Sequence, residues 1–296
     1  TIPDGYTPGN DLNTGYTGAF WRAGKMAPDF DFYEVLPNFI KQSKQYLAER
    51  AQSQQPFFLY LPLAGPHTPW MPKERFVGAT GAGSYGDFMH MIDAQVGQLL
   101  ATLDSLGLRE NTLVVFTSDN GPYWRPDKIK QYDHRAAGIF RGMKADIWEG
   151  GHRIPFIAPW PGHIPAGAQS DQLMGLTDFL ATAAAIAGRE IKPGEGEDSY
   201  NMLPALLGQA KNPIRETLIQ QSSRGHMAIR KGKWKLIPLR GSGGFSEPQT
   251  YEPQPGEAKG QLYDLATDPA EENNLYDAHP EIVAELAAML EDARGE

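Results

Sequence analysis

Apolar and polar positions along the chain follow patterns that predict helices alternating with short strands. Residues Ser84 to Leu106 place apolar side chains at steps of three and four, which predicts an amphipathic helix that ends at Gly107. A second helical pattern begins at Pro37 and runs to about Arg50, and a third covers Asp178 to Ala187.

Three short apolar runs between these helices predict strands: Phe57 to Leu61, Thr112 to Thr117 and Ile154 to Ala158. Continuous apolar runs of this length are typical of parallel strands covered by helices on both faces. We therefore predict an α/β fold over residues 1–210, with a mainly parallel sheet between helices. The first 36 residues are predicted to form a loop, with at most a short strand near Ala19 to Trp21.

The last third of the chain shows a different pattern. Three short pieces predict a small antiparallel sheet: Thr217 to Gln221, Met227 to Arg230 and Trp234 to Pro238. A helix that begins near Pro280 has one apolar face and is predicted to cover this sheet. We assign residues 211–296 to a C-terminal antiparallel subdomain, in which residues 241–260 predict a polar loop without regular order.

Composition limits the kinds of partner. The 296 residues include 36 acidic and 27 basic side chains, for a net charge of −9, so a nucleic acid is not an expected partner. Because the net charge is negative, an anionic ligand would need a local site with positive groups. The sequence has no cysteine, which excludes disulfides, thiolate metal sites and cysteine nucleophiles from these residues. No apolar stretch reaches the roughly 20 residues needed to cross a bilayer, and no membrane partner is expected.

Candidate chemistry lies at the ends of the predicted strands, where ligands bind in open α/β sheets. His67 lies between two prolines after the first run, Asp119 and Asn120 follow the second, and Lys144 precedes the third. Carboxylate and amide oxygens are ligands that Ca²⁺ and Mg²⁺ prefer. Each feature also has a simpler interpretation: Asp-Asn-Gly as a turn, the histidine as structural and the lysine as a solvated surface charge.

Six short motifs occur one after another along the chain. They are His67-Thr68-Pro69, Ser118 to Gly121, Arg141 to Lys144 with Trp148 to Pro155, Thr177 to Phe179, Ala228 to Leu236, and Gln261 to Leu265 with Asp268 to Leu275. In this order and spacing they resemble the sulfatases, the arylsulfatase-type branch of the alkaline phosphatase superfamily. The likeness extends from about residue 31 to the end of the chain, and it implies an alkaline phosphatase-like fold and sulfuric-ester hydrolysis.

The resemblance also implies roles for individual residues. Asp119 and Asn120 would ligate a divalent cation, usually calcium, while His67 and Lys144 would contact the sulfate group. These roles suit the chemistry, because a cation and an ammonium neutralise charge on the sulfuryl oxygens and a protonated histidine can donate to the leaving oxygen. The expected partner is a sulfated small molecule or glycan, and family analogy places the protein in the periplasm or outside the cell.

The stretch between the metal ligands and Lys144, residues 122–140, is polar and aromatic and is expected to form the rim of the pocket. Candidates for contacts with a sulfated sugar or aryl group are Tyr123, Trp124, His134, Arg135 and, further along the chain, His226. Ordering of the loop is the alternative role for these side chains. Arg141 and Glu149 are expected to be structural, as partners of each other or of the backbone.

One family feature is missing from this sequence. Sulfatases carry N-terminal acidic metal ligands and a Cys-x-Pro-Ser-Arg signature, whose Cys, or Ser in some bacterial enzymes, becomes the formylglycine nucleophile. Lys211 to Arg215 matches only the spacing of that signature, and we interpret it as chance. We therefore expect the C-terminal larger portion of a sulfatase, inactive alone, with the N-terminal portion of the same enzyme as its partner.

Two alternatives stay open. A phosphodiester or phosphonate hydrolase of the same superfamily would need a similar clamp of metal and cationic side chain. A non-catalytic relative would keep this clamp and use it to bind sulfated glycans.

Overall fold

The computed structural model describes Lys25 and residues 27–53 and 55–295. The short strand predicted near residues 19–21 therefore lies outside the described residues. The chain divides into two compact units, Thr1–Thr112 and Leu113–Glu296. The division at residue 210, which rested on the change in sequence pattern, stays a prediction.

Two long helices form the centre of the first unit. Helix α1, Val35–Ser53, and helix α2, Gly83–Ser105, pack against each other through their apolar stripes. Both helices were predicted, and α1 extends past both predicted ends. Gly107 has a φ of +66° and ends α2, because a left-handed residue after the last turn satisfies the free carbonyls. No helix of the described residues is long and apolar enough to cross a bilayer.

The apolar run Phe57 to Leu61 forms neither helix nor strand, so this prediction is wrong. Phe58 and Tyr60 are 69% and 75% exposed, whereas Phe57, Leu59 and Leu61, which alternate with them, are half-buried. The alternation is that of a strand with one covered face. Ladder hydrogen bonds require a neighbouring strand, and none pairs with this run in the part of the unit that the structure describes.

The second unit begins with a short antiparallel pair. Strand β1, Phe116–Thr117, lies beside β2, Phe156–Ile157, with Phe116 opposite Ile157. These strands are shorter than the predicted runs, and every strand pair among the described residues is antiparallel rather than parallel. The helices of this unit before the C-terminal sheet are α3, Pro126–Tyr132, α4, Glu149–His152, α5, Phe179–Ile186, and α6, Leu203–Leu206.

The predicted C-terminal antiparallel sheet is confirmed. Its strands, in spatial order, are β3, Thr217–Gln221, β4, Met227–Lys231, β5, Trp234–Ile237, and β6, Gln261–Asp264. Helix α7, Pro280–Arg294, covers one face, where Leu286 and Leu290 pack on Ile229, Leu236 and Leu262.

The opposite face of this sheet is covered by the segment that follows Lys144. Ile147 and Trp148 are buried there against Ala228, Ile237 and Tyr263. Because side chains alternate between the two faces of a strand, β5 sends Leu236 towards α7 and Ile237 towards this segment. The sheet therefore fixes the position of the chain next to Lys144.

Candidate active site

The turn after β1 carries the two predicted metal ligands. The Ser118 hydroxyl donates to the Asn120 carbonyl oxygen over 3.0 Å, and Asn120 Nδ2 donates to the Gly121 carbonyl oxygen over 2.9 Å. The amide nitrogen of Asn120 is thus used within the turn, which leaves its Oδ1 as the atom suited to a cation. Asp119 is exposed.

Glycines bring this turn against the segment that carries Lys144. Gly121 N donates to Gly151 O over 2.9 Å, and a Cβ at Gly121 would overlap the carbonyl oxygen of Gly150. Lys144 N donates to Pro122 O over 2.9 Å. Backbone contacts therefore place the Asp119-Asn120 turn and Lys144 in one region of the second unit.

Lys144 lies in a tight turn held by Asp146. The buried Asp146 carboxylate accepts from Met143 N through Oδ2 over 2.9 Å, and Ala145 has a φ of +79°, which is rare for a residue with a Cβ. Lys144 is half-buried, and among the described residues its ammonium makes no hydrogen bond or ion pair. The protein therefore leaves this positive charge available to an anion.

The loop after β5 packs on the same turn. Asp146 Oδ1 accepts from Phe245 N over 2.7 Å and from Ser246 N over 2.9 Å, and Ile147 N donates to Ser242 O over 2.7 Å. Residues 241–249 form neither helix nor strand, as predicted, but these contacts fix the position of the loop. The pattern of local polar residues could not reveal it, because the anchoring carboxylate is distant in sequence.

His226 reaches this region through the turn between β3 and β4. Ser223 N donates to Ala145 O over 3.1 Å, and the His226 ring lies beside Gly243. The half-buried His226 therefore belongs to the same neighbourhood as Lys144. A substrate contact of His226 stays a prediction.

Trp124 and His134 lie in the loop between these elements. Trp124 is 4% exposed, and its indole Nε1 donates to His134 O over 2.8 Å. Trp124 thus orders this loop, which was the alternative to substrate binding, while the His134 side chain is exposed. The substrate contacts proposed for both residues stay predictions.

His67 belongs to the first unit and sits in a loop anchored on α2. Gly65 packs so closely against Ile92 and Phe88 that a Cβ would lie 2.7 Å from Ile92 Cδ1, and the Trp70 indole donates to Pro66 O over 3.1 Å. His67 is exposed, and its Nδ1 lies 2.7 Å from Thr68 O. A carbonyl oxygen only accepts, so Nδ1 carries the hydrogen in this contact.

A buried cluster of charges joins the region of Lys144 to the C-terminal sheet. Lys235 Nζ lies 2.9 Å from Glu149 Oε1 and 3.1 Å from Glu271 Oε1, and all three side chains are fully buried. Burial alone would raise the pKa of Glu149, but Lys235 and Arg153 hold it well below its usual range.

Glu149 is therefore structural, as expected. Its side chain pairs with Lys235 and Arg153 rather than with Arg141. The Arg141 guanidinium stacks on Trp148 at 3.7 Å and donates to Glu271 O over 2.8 Å. Sequence reasoning missed Lys235 and Glu271. The available signal was a lysine beside Leu236 and Ile237, in a strand whose two faces are both covered.

A second buried ion pair explains the motif at Thr177 to Phe179. Arg215 Nη1 donates to both carboxylate oxygens of Asp178, over 2.9 and 2.8 Å, and both side chains are buried. The backbone amides of Gly175 and Tyr200 also donate to this carboxylate. Arg215 thus has a structural partner, in agreement with the interpretation of Lys211 to Arg215 as a chance match.

The turn after β1 offers donor atoms of the kind that bind calcium. Asp119 and Asn120 offer a carboxylate and an amide oxygen, which suit a hard cation that takes about six to eight oxygens. Within the described ranges no group of three His, Asp or Glu side chains is placed to hold a metal. The pair fits calcium in type and would fill part of its coordination shell.

Comparison with known proteins decides the family. The sulfatase family model matches residues 16–189, which is more than half of the chain. The chain belongs to the sulfatase family. The N-acetylgalactosamine-6-O-sulfatase of Bacteroides thetaiotaomicron is 34% identical over 286 residues, covering 95% of this chain and 53% of that sulfatase. Arylsulfatase A of Homo sapiens is 34% identical over 258 residues, covering 82% of this chain and 50% of that enzyme.

Solved sulfatase structures share the fold. A Bacteroides thetaiotaomicron structure from work on the metabolism of multiple glycosaminoglycans has a TM-score of 0.79 at 33% identity, covering 90% of this chain and 56% of that one. The PsFucS1 sulfatase from Pseudoalteromonas sp. has a TM-score of 0.76 at 24% identity, covering 92% of this chain and 55% of that one. The predicted α/β class is thereby confirmed. This sulfatase chain spans about half the length of the curated relatives it matches.

Proposed function

We propose that the full-length protein is a sulfuric-ester hydrolase that acts on sulfated glycans. The observation that carries this proposal is the Lys144 ammonium, which has no partner among the described residues and lies in the same region as the Asp119-Asn120 turn. Membership of the sulfatase family supports the reaction, and the name of the Bacteroides thetaiotaomicron relative supports a sulfated sugar as substrate.

Each candidate residue has a role in this proposal. The Lys144 ammonium binds the sulfuryl oxygens and neutralises the charge that develops on them. Asp119 and Asn120 would hold a divalent cation, most simply calcium, which when bound supplies further positive charge beside the sulfate. His67 Nε2 donates a proton to the leaving oxygen, and the contact of Nδ1 with Thr68 O sets the orientation of the ring.

The remaining assignments extend the same proposal. A formylglycine nucleophile would come from an N-terminal portion of the enzyme, since these 296 residues contain neither the Cys nor the Ser form of the activating signature. Trp124, His134 and His226 would contact the sugar or the loop that surrounds it. A periplasmic or secreted location is proposed from family analogy alone.

The proposal is tested with Lys144→Ala in the full-length protein. We expect kcat/KM for N-acetylgalactosamine 6-sulfate and for a nitrophenyl sulfate to fall by about 10² to 10³, the usual effect of removing one group aimed at developing charge. Lys211→Ala is the matched control, because it removes an exposed lysine of the same charge and should leave the rate within about two-fold.

The same assays test His67 and the alternatives. His67→Ala should reduce the rate more for the sugar sulfate than for the nitrophenyl sulfate, because the poorer leaving group depends more on proton donation. If Lys144→Ala and His67→Ala both kept normal rates on both esters, the catalytic proposal would be wrong. If the wild-type protein binds a sulfated sugar without hydrolysing it, the glycan-binding alternative is favoured. If it cleaves a nitrophenyl phosphodiester faster than the nitrophenyl sulfate, the phosphodiesterase alternative is favoured.

A further inference from the structure

The Asp146 carboxylate is the centre of a hydrogen-bond network beside Lys144. Its Oδ2 accepts from Met143 N over 2.9 Å and from the Ser246 hydroxyl, while its Oδ1 accepts from Phe245 N over 2.7 Å and from Ser246 N over 2.9 Å. The residue is 1% exposed. These four bonds use the lone pairs of both oxygens, so Asp146 can affect a reaction only through its neighbours.

The backbone between Lys144 and Asp146 has a conformation that depends on its surroundings. Ala145 has a φ of +79°, which a residue with a Cβ keeps only where neighbouring contacts determine it. Its carbonyl oxygen accepts from Ser223 N over 3.1 Å, and a Cβ at Gly244 would lie 2.3 Å from the same oxygen. The position of Lys144 therefore depends on segments that lie far away in the sequence.

The donors explain why this position holds a carboxylate. Three of the four are backbone N–H groups, which cannot rotate to accept a hydrogen bond. Asp146→Asn keeps nearly the same shape, but the new NH2 group would face either Met143 N or the amides of Phe245 and Ser246. A donor against a donor leaves buried hydrogen bonds unmade, so the turn and the loop would move apart.

We propose that Asp146 is a positioning residue for sulfate-ester hydrolysis. It joins the turn of Lys144 to residues 242–246 and so holds the Lys144 ammonium at the sulfuryl oxygens. The inference rests on the proposed function, in which Lys144 neutralises the charge that develops on these oxygens. Because such a group has to be placed within a fraction of an ångström, movement of the turn affects the chemical step more than it affects binding.

Asp146→Asn in the full-length protein tests this role. We expect kcat for N-acetylgalactosamine 6-sulfate to fall on the order of ten- to a hundred-fold, while KM changes less than about three-fold. Rates are compared at a temperature at which circular dichroism shows that each variant is folded. A general loss of stability would not produce this split between kcat and KM.

Asp178→Asn is the matched control. The Asp178 carboxylate is also buried and accepts from two backbone amides and from Arg215, but it lies outside the turn of Lys144. This variant should lose stability and keep kcat within about two-fold. If both variants lowered kcat equally, the effect would be general and the inference would be wrong.

A double-mutant cycle decides whether Asp146 acts through Lys144. In the Lys144→Ala variant, adding Asp146→Asn should change kcat/KM by less than about two-fold, because the group to be positioned is already absent. Equal losses in the presence and absence of Lys144 overturn the inference, and so does a normal kcat for Asp146→Asn.

Ser246→Ala is a milder second variant that is useful if Asp146→Asn does not fold. It removes the hydroxyl donor and leaves the carboxylate and the backbone amides in place. We expect kcat to fall about two- to five-fold, again only when Lys144 is present. An unchanged kcat, or the same loss in the Lys144→Ala variant, contradicts the inference.

The cycle also distinguishes failure of this inference from failure of the proposed function. A slow Lys144→Ala variant with a normal Asp146→Asn variant contradicts only the inference, whereas a normal Lys144→Ala variant contradicts both. If the wild-type protein binds the sugar sulfate without hydrolysing it, the hydrolase is wrong, and calorimetry measures the same cycle on Kd. Weaker binding by Asp146→Asn that disappears in the Lys144→Ala variant then supports the positioning role, and equal weakening in both contradicts it.

Discussion

At the scale of single residues, glycines determine how closely the two segments of the candidate site approach. Gly121 contacts the carbonyl of Gly150, and Gly151 accepts the hydrogen bond from Gly121 N. The sequence indicates only a local reason for Gly121, as the end of an Asp-Asn-Gly turn. The stronger reason is a contact with a distant segment, and no short-range pattern contains that information.

We predict that Gly121→Ala destabilises the protein by about 1–3 kcal/mol, because the added Cβ overlaps backbone atoms that cannot move away independently. The matched control is Gly97→Ala in α2, where a Cβ meets no atom within 4 Å. This change should stabilise the helix by about 0.5–1 kcal/mol. Urea unfolding measures the free energy of unfolding of both variants. Equal changes in this free energy would contradict the close contact at Gly121.

Acid stability depends on His152. Burial, and secondly the positive charge of Lys235, lower the pKa of His152 from its usual 6.5 to about 4. Between these two values the unfolded chain binds the proton more readily than the folded protein, so the free energy of unfolding falls as the pH falls from about 6.5 to about 4.

We predict that His152→Gln removes part of this acid sensitivity. The melting temperature of the variant should change less than that of the wild type between pH 7 and pH 4.5, since glutamine does not titrate. His163→Gln is the control, because that histidine is exposed. The prediction is contradicted if the melting temperatures of His152→Gln and the wild type fall by the same amount across this range.

At the scale of elements, the sequence predicts helices better than strands. The apolar stripe of α2 lies within one continuous segment, so its burial pattern is visible locally. The run Phe57 to Leu61 has equally clear strand composition, yet a strand depends on the hydrogen bonds of a neighbour. Strand β6 was missed for a related reason, because its four residues, Gln261–Asp264, are all buried and show no alternation.

The ion pair between Asp178 and Arg215 ties the start of α5 to the chain just before β3. We predict that Arg215→Ala lowers the free energy of unfolding by about 3–5 kcal/mol, because it leaves the buried Asp178 carboxylate without its counter-charge. Asp178→Asn in the same variant should recover part of this loss. Arg189→Ala serves as the exposed control, and a similar small loss for both arginines would argue against the pair.

At the scale of the whole molecule, the sequence indicates candidate residues, and the structure shows which distant segments support them. Asp119, Asn120 and Lys144 were candidates from motifs, and His226 was a separate candidate for substrate binding. The second unit brings the backbones of all four into one region. The supporting residues were not predictable. Asp146, Lys235 and Glu271 act through contacts with distant segments, and a buried charge looks like a surface charge in the sequence.

We predict that the chain of 296 residues alone releases no sulfate from a nitrophenyl sulfate, even with calcium present. Positive groups and a proton donor assist the cleavage, but they do not replace a positioned nucleophile. Activity should appear in the full-length protein once its formylglycine precursor has been converted. Turnover by the 296-residue chain itself would show that the nucleophile lies within it.

The buried cluster of Glu149, Lys235 and Glu271 restricts how this chain can exchange parts with a relative by recombination. A hybrid that joined residues 1–210 of one relative to residues 211–296 of another would combine Glu149 from one parent with Lys235 and Glu271 from the other. If the second parent had an apolar residue in place of Lys235, two carboxylates would share a dry interior. Crossovers near residue 210 should therefore be viable only between parents that carry matching charges at all three positions.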